Sequence, residues 1–495
     1  MAIRNLATAI SLNHVWGKLW QKMISGMCLS LLFFGHGPLG FCEEEEILAV
    51  AIGNPQTAQE IVVFGKVEIP KASASAIKFS PNAAEGNTTI EVVVQKQAKD
   101  AFLAERFFTT RLPALLINDF NFYRKVFQVY GEEDAAKIGE SKLNQYFVSL
   151  KVTTSTPARP YILQVKVTQG AEKKEIVTFR EEFPRAAFQS PLAQDIGHQV
   201  ADLIYQGITG KKSIFTSKII FVSDRDSVGK KQIKEIYQAN FDGGNVRRLT
   251  FHRGVVIGPD ISYDGKKIIY SLIDGNAHKN RNINLHLLDL DTNKSTLVSN
   301  RPGINSGAVF LPGDQEVALT LSYSGNPEIY RLNLKSKKLT PITNSSAIDV
   351  DPSMAARPDL MAFLSGRGGK ANVYLADPRG LEKNVRRISY VGRFNATPRL
   401  APDGQEIAFV SWADETFDIF RINSDGRGLV RLTKDFGSCE DPSYSPDGQF
   451  IVFQAKRLVP GATHPYNLYV MDREGDILGA VVQNLGNCTT PRWSK

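Results

Sequence analysis

The 495-residue sequence is poor in the residues that most often carry chemistry: four cysteines, seven histidines and four tryptophans. It has no Gly-x-Ser-x-Gly turn to expose a nucleophile, and no histidine stands in a triad or zinc pattern. Gly210-Lys211-Lys212-Ser213 lacks the upstream glycine of a phosphate-cradling loop. Asp289-Leu290-Asp291-Thr292-Asn293 starts like a calcium loop. Lys294 and Asn300, however, replace the glycine and glutamate that such a loop needs, so a solvated turn is expected. These absences argue against the common hydrolase, metal and nucleotide layouts, and no metal, cofactor or catalytic residue is assigned. The formal charge of +8 is mild for this length, and Arg4, Lys18 and Lys22 supply part of it within the first 42 residues, which hold no acid. No basic cluster with interleaved aromatics appears, so nucleic acid is not expected as a partner.

Long apolar runs are also missing, with one exception. Lys18 and Lys22 precede an apolar segment over 23–34, followed by Gly40-Phe41-Cys42. This is the layout of a secretory signal, cut ahead of Glu43. The run is short for a bilayer span, and the large Phe41 disfavours a lipidated Cys42. Residues 1–42 are therefore assigned to a signal peptide, and no integral membrane span is expected after cleavage. An exported chain can form disulfides.

What the chain has in plenty is one repeated turn. Ser445-Pro446-Asp447-Gly448 leads into the apolar run Phe450-Ile451-Val452-Phe453. Proline fixes φ, aspartate bonds its own backbone and glycine takes positive φ, so a turn feeding a strand is expected. Copies stand at Ala401-Pro402-Asp403-Gly404, Arg357-Pro358-Asp359, Leu311-Pro312-Gly313-Asp314 and Ser262-Tyr263-Asp264-Gly265, each followed by a strand. Lys218-Ile219-Ile220-Phe221 has the strand without the turn. A spacing of roughly 45 residues matches four-stranded propeller blades. Pro491-Arg492-Trp493-Ser494 repeats the start of a blade whose remainder is absent, whereas the first blade lacks that start. A six-bladed β-propeller over 214–495 is predicted, its ring closed by the C-terminal strand, which protects strand edges.

Residues 43–213 lack the repeat and mix helical and strand periodicities, so they are read as a separate α/β domain. An acidic tail opens it at 43–46. Strands are expected at 89–94, 120–129, 146–153, 161–167 and 174–179, and helices at 99–112 (ended by Pro113), 132–141 and from Leu192 to the Gly207 region. Residues 208–217 form the linker.

Three features resemble the TolB family, the periplasmic propellers of the Tol–Pal envelope system. They are the junction from Gly210-Lys211-Lys212-Ser213 through Ile219-Ile220-Phe221-Val222-Ser223, and the motifs Ser324-Gly325-Asn326-Pro327-Glu328-Ile329-Tyr330 and Asn384-Val385-Arg386-Arg387-Ile388-Ser389. The resemblance implies a periplasmic, non-enzymatic adaptor supporting outer-membrane integrity and constriction at division. Its implied partner is the peptidoglycan-associated lipoprotein Pal, bound at the channel mouth. In the family the mature N-terminus also contacts TolA; here residues 43–56 begin with four glutamates, a departure from the family pattern.

Repeat symmetry brings equivalent positions into a ring. The residues just ahead of each turn motif, Asn305, Ser306, Asp349, Asp351, Asn395, Thr397, Glu440, Asp441, Thr489 and Thr490, are thus the candidate partner-binding set at one mouth of the channel. Polar and acidic groups there suit a ligand that presents donors or basic groups; the alternative is that they bond neighbouring blades. Cys439 and Cys488 occupy matching places and either form a disulfide or remain two buried thiols. Two rival functions stand beside the adaptor: a propeller hydrolase or lyase, and a propeller binding another protein or a carbohydrate.

Overall fold

The computed structural model describes residues 59–64, 106–130, 145–153, 160–169, 172, 174–184, 188, 192–273, 282–457 and 464–494. The expected signal, the acidic start, the strand at 89–94 and the helix at 132–141 lie outside them.

A five-stranded sheet runs in the order Phe127–Tyr130, Gln59–Phe64, Gln145–Thr153, Tyr161–Gln169, Lys174–Phe183. Its first two pairings are parallel and its last two antiparallel. Tyr161, Leu163, Val165 and Val167 are buried in alternation with more exposed neighbours, as a half-covered sheet requires. Helices α1 (Leu112–Phe122) and α2 (Leu192–Thr209) pack on each other. Gly207 lies where α2 crosses Val177; a methyl group there would come within 2.2 Å of that side chain.

Three expectations are corrected here. Pro113 does not end the helix: the π-helical turn Phe107–Arg111 runs directly into α1, whose first turn holds Pro113, where a missing N–H is tolerated. Residues 120–122 are helical, so the strand expected over 120–129 shrinks to Phe127–Tyr130. The expected linker is not a free connection: Ile208 and Thr209 close α2, and Ile214 and Phe215 are buried.

Six four-stranded antiparallel sheets follow. The first joins Lys218–Ser223, Glu235–Asn240 and Arg247–Arg248 to the C-terminal Cys488–Trp493, which pairs antiparallel with Lys218–Ser223. Sheets two to six are consecutive in sequence, beginning with Val255–Ile261, Asn305–Phe310, Asp349–Met354, Asn395–Leu400 and Ser438–Tyr444. These five leading strands and Cys488–Trp493 touch one another in a closed cycle, so they are the innermost strands.

The repeated turn works as its residues require. Ser445 Oγ donates to Asp447 Oδ1 at 2.6 Å and accepts from Phe450 N at 3.0 Å, while Gly448 takes φ +69°. Ser262 and Asp264 repeat these bonds at 2.6 and 2.9 Å. Each turn delivers a strand buried on both faces, such as Phe450–Lys456 between neighbouring sheets.

The same turn anchors the α/β layer. Tyr123 donates to Asp447 Oδ2 at 2.7 Å and accepts from Ile214 N at 3.1 Å. The rings of Tyr123 and Phe450 lie 5.1 Å apart, edge to face. Nearby, buried His198 stands 2.8 Å from Asp119 and 3.5 Å from Asp242. Burial alone would lower its pKa, but its hydrogen bond to Asp119 and the charges of both carboxylates raise it to about 9.

Candidate functional site in the axial channel

Each of the six innermost strands breaks register with its neighbour at one place. At each break stands a residue with left-handed backbone: Gly258, Gly307, Asp351, Thr397, Asp441 and Thr490, with φ between 43° and 60°. In five of the six, proline follows. Proline has no N–H for the ladder, so it is tolerated in a strand mainly where a bulge interrupts pairing. A left-handed non-glycine residue costs on the order of 1–3 kcal/mol, and such strain gathers at ligand clamps. Four of the six carry that cost.

The bulge divides the predicted ring residues into three sets. Asn305, Asp349 and Asn395, at the start of their strands, face into the sheet walls. Asn305 accepts from Ser299 Oγ at 2.6 Å and donates to Arg301 O at 2.7 Å. Asp349 takes Arg367 Nη2 at 2.6 Å, and Asn395 donates to Ala371 O and Val391 O at 3.2 Å. These three bond their own sheet walls, the alternative that repeat symmetry left open, although Asp349 Oδ1 and Asn395 Oδ1 are also buried without a partner.

Cys439 and Cys488 share that register and are buried free thiols. The disulfide is therefore not formed. Burial pushes both thiols up to about 12, where they stay protonated and inert.

Ser306, Glu440 and Thr489 come one residue later and are half-buried. Burial, and then the neighbouring Asp441, push the Glu440 carboxyl up to about 7.

The bulge residues Asp351, Thr397, Asp441 and Thr490 form the third set. Asp441, buried, interacts across the axis with Arg492, Arg399 and Asp351, so four sheets meet one another's charges there. Asp351 Oδ1 takes Arg399 Nη1 at 3.0 Å. Asp351 Oδ2, Asp441 Oδ1 and the hydroxyls of Thr397 and Thr490 are buried with no hydrogen-bond partner. Each such atom costs about 1–3 kcal/mol, a cost that a ligand or bound water removes.

The family model for the TolB beta propeller domain matches residues 205–495. The chain belongs to this family. Curated relatives named Tol-Pal system protein TolB, from Francisella tularensis strains FSC 198 and SCHU S4, are 25% identical over 319 residues, 63% of this chain and 70% of theirs. The crystal structure of TolB from Acinetobacter baumannii superposes with a TM-score of 0.66 at 20% identity, covering 90% of this chain and 98% of that one, which shows a common fold.

Within this propeller fold, sequence reading overlooked the residue after each bulge proline or its equivalent: Asp260, Val309, Ser353, Arg399, Ser443 and Arg492. Three of them stitch adjacent sheets at the axis. Phe310 N donates to Asp260 Oδ2 at 2.9 Å, Leu400 N to Ser353 Oγ at 3.0 Å and Trp493 N to Ser443 Oγ at 3.0 Å. Arg399 and Arg492 instead place two guanidiniums in the channel. The signal was available: polar residues recur two places after the left-handed position, but neither the bulge nor the facing they share is visible without the register.

Proposed function

We propose that this protein is the periplasmic adaptor of a Tol–Pal system. Its propeller would bind the soluble domain of the cell's own Pal-like lipoprotein at the channel mouth. On this reading residues 1–42 are a cleaved signal, 43–213 an α/β domain and 214–495 a six-bladed propeller with no catalytic role. Bound lipoprotein would be withheld from peptidoglycan, and its release would support outer-membrane integrity and constriction during division.

Family membership supports the system. The observation that carries the partner site is the set of unpartnered polar atoms on Asp351, Thr397, Asp441 and Thr490, held on strained backbone around one axis. A protein inserting donors into the mouth would satisfy them together, which is how desolvated polar groups confer specificity. Two ring carboxylates are committed to arginines, Asp351 to Arg399 and Asp349 to Arg367, so an enzymatic alternative would rest on Glu440 and Asp441 alone.

Calorimetric titration of the purified protein with the soluble domain of its own Pal-like lipoprotein tests the reading. Saturable binding, one lipoprotein per chain, is expected. No heat and no complex on a sizing column would remove the lipoprotein from the proposal and leave the propeller with another ligand.

A further inference from the structure

The channel has a second, differently built end. A cavity of about 180 Å³ lies between the turn-proximal halves of the innermost strands, and all six sheets contribute to its lining. That volume is more than ten times the roughly 10–15 Å³ that one water needs on the same measure. Its walls are largely apolar: Met354, Leu400 and Trp493 line it together with Tyr263 and Tyr444. Its polar part holds two arginines, Arg399 and Arg492, the carboxylate of Asp260, which accepts from Phe310 N, and serines such as Ser353 and Ser443.

Those arginines are not equivalent. Arg399 is paired with Asp351 at 3.0 Å. Arg492, only 7% exposed, donates from Nη1 to its neighbour's carbonyl, Pro491 O, at 2.8 Å, and no ion pair with it occurs among the described residues. A buried guanidinium without a carboxylate in contact is costly, and proteins rarely keep one unless something completes it. Burial, followed by repulsion from Arg399, lowers the Arg492 pKa to about 10, still well above neutrality, so the charge persists. The Nε of Arg399 and the Tyr444 hydroxyl are buried behind the cavity wall without hydrogen-bond partners.

We propose that this cavity is a binding site for a small organic monocarboxylate, its carboxylate on Arg492 and its short apolar body against Trp493 and Met354. Of the two arginines only Arg492 has no carboxylate in contact, so an anion finds its partner there. Asp260, Asp351 and Asp441 act on Arg492 without touching it, so the smallest added negative charge, a monoanion, is favoured. A dianion such as sulfate or phosphate would meet those carboxylates with an excess negative charge. The site is distinct from the mouth, and its occupancy does not depend on the lipoprotein reading.

The test titrates the purified protein with N-acetylglycine, observed by calorimetry and by saturation-transfer NMR, beside acetamide and sulfate at matched ionic strength. Saturable 1:1 binding of N-acetylglycine is expected, at least tenfold tighter than acetamide or sulfate. Arg492→Gln should weaken it at least tenfold while circular dichroism and thermal midpoint stay at or above wild type. Lipoprotein binding, measured on the same samples, should be unchanged by N-acetylglycine; failure of either reading is therefore seen separately. The proposal is overturned if N-acetylglycine does not saturate, if sulfate or acetamide binds as well, or if folded Arg492→Gln binds it unchanged. Should that variant not fold, the ligand discrimination of the wild-type protein decides alone.

Discussion

Two regions of this molecule bury polar and charged groups, and they treat them in opposite ways. Where the α/β layer meets the sheets, charges face opposite ones: buried His198 lies between Asp119 and Asp242, although Asp119 Oδ1 and His198 Nε2 lack hydrogen-bond partners, and the half-exposed Lys125 reaches Asp472 and Asp476 at 2.6 Å. Along the axis Asp441, Thr397 and Thr490 keep orphaned atoms, and Arg492 has no ion pair among the described residues. Matched burial stabilises one arrangement of the chain. Unmatched burial lowers stability and is retained where something outside the chain supplies the partner. What sets the axis apart is that four such atoms stand at equivalent positions on left-handed backbone.

The largest effect should come from breaking the matched side. Asp119→Ala leaves buried His198 with only the more distant Asp242, and a loss of about 3 kcal/mol is expected for a broken buried pair. Urea unfolding reads it; a change below about 1 kcal/mol would mean that the contact is not held by charge matching. A pH titration sharpens the same point. His198 has a folded pKa raised to about 9 from the ordinary 6.5, so its contribution is complete below about 6.5 and fades as pH rises through 9. The thermal midpoint of the wild type should therefore fall relative to His198→Gln between pH 6.5 and 9.5, by the equivalent of about 2 kcal/mol.

On the unmatched side the expected stability effects are small. Asp441→Asn keeps a residue type that tolerates left-handed backbone and removes a buried charge, so stability should stay within about 1 kcal/mol of wild type or rise. A large loss would place Asp441 with the structural groups. The smallest effect concerns the thiols. Cys439 and Cys488 should resist alkylation in the native protein and react in denaturant, as mapped by mass spectrometry, because burial holds both thiols protonated.

The fold was legible in the sequence wherever the chain repeats. Five turn motifs and one truncated start marked six strands at similar spacing, and the closing strand followed from Pro491-Arg492-Trp493-Ser494. In the non-repeating part only strong alternation was readable, as in Tyr161–Gln169. Pro113 misled because a proline that usually stops a helix is tolerated where a π-helical turn hands over to an α-helix. For the candidate site, the neighbourhood was readable but the facing was not. Asn305 and Gly307 are two apart in a strand and so would share a face, yet the bulge at Gly307 changes that parity. Asp349 and Asp351 differ in the same way, one on Arg367 in the wall and the other at the axis on Arg399. The arginines of the channel were missed because a lone arginine after proline reads as a surface residue until the register turns it inward.

The measurement that bears most directly on the distinction between the two regions is lipoprotein affinity, compared across wild type, Asp441→Asn and Asp119→Ala. Asp441→Asn should remain folded and lose at least tenfold in affinity, while Asp119→Ala should lose stability and, at a temperature where it is folded, keep wild-type affinity. Wild-type affinity in Asp441→Asn, or a loss confined to Asp119→Ala, would contradict the assignment of the axis as the site.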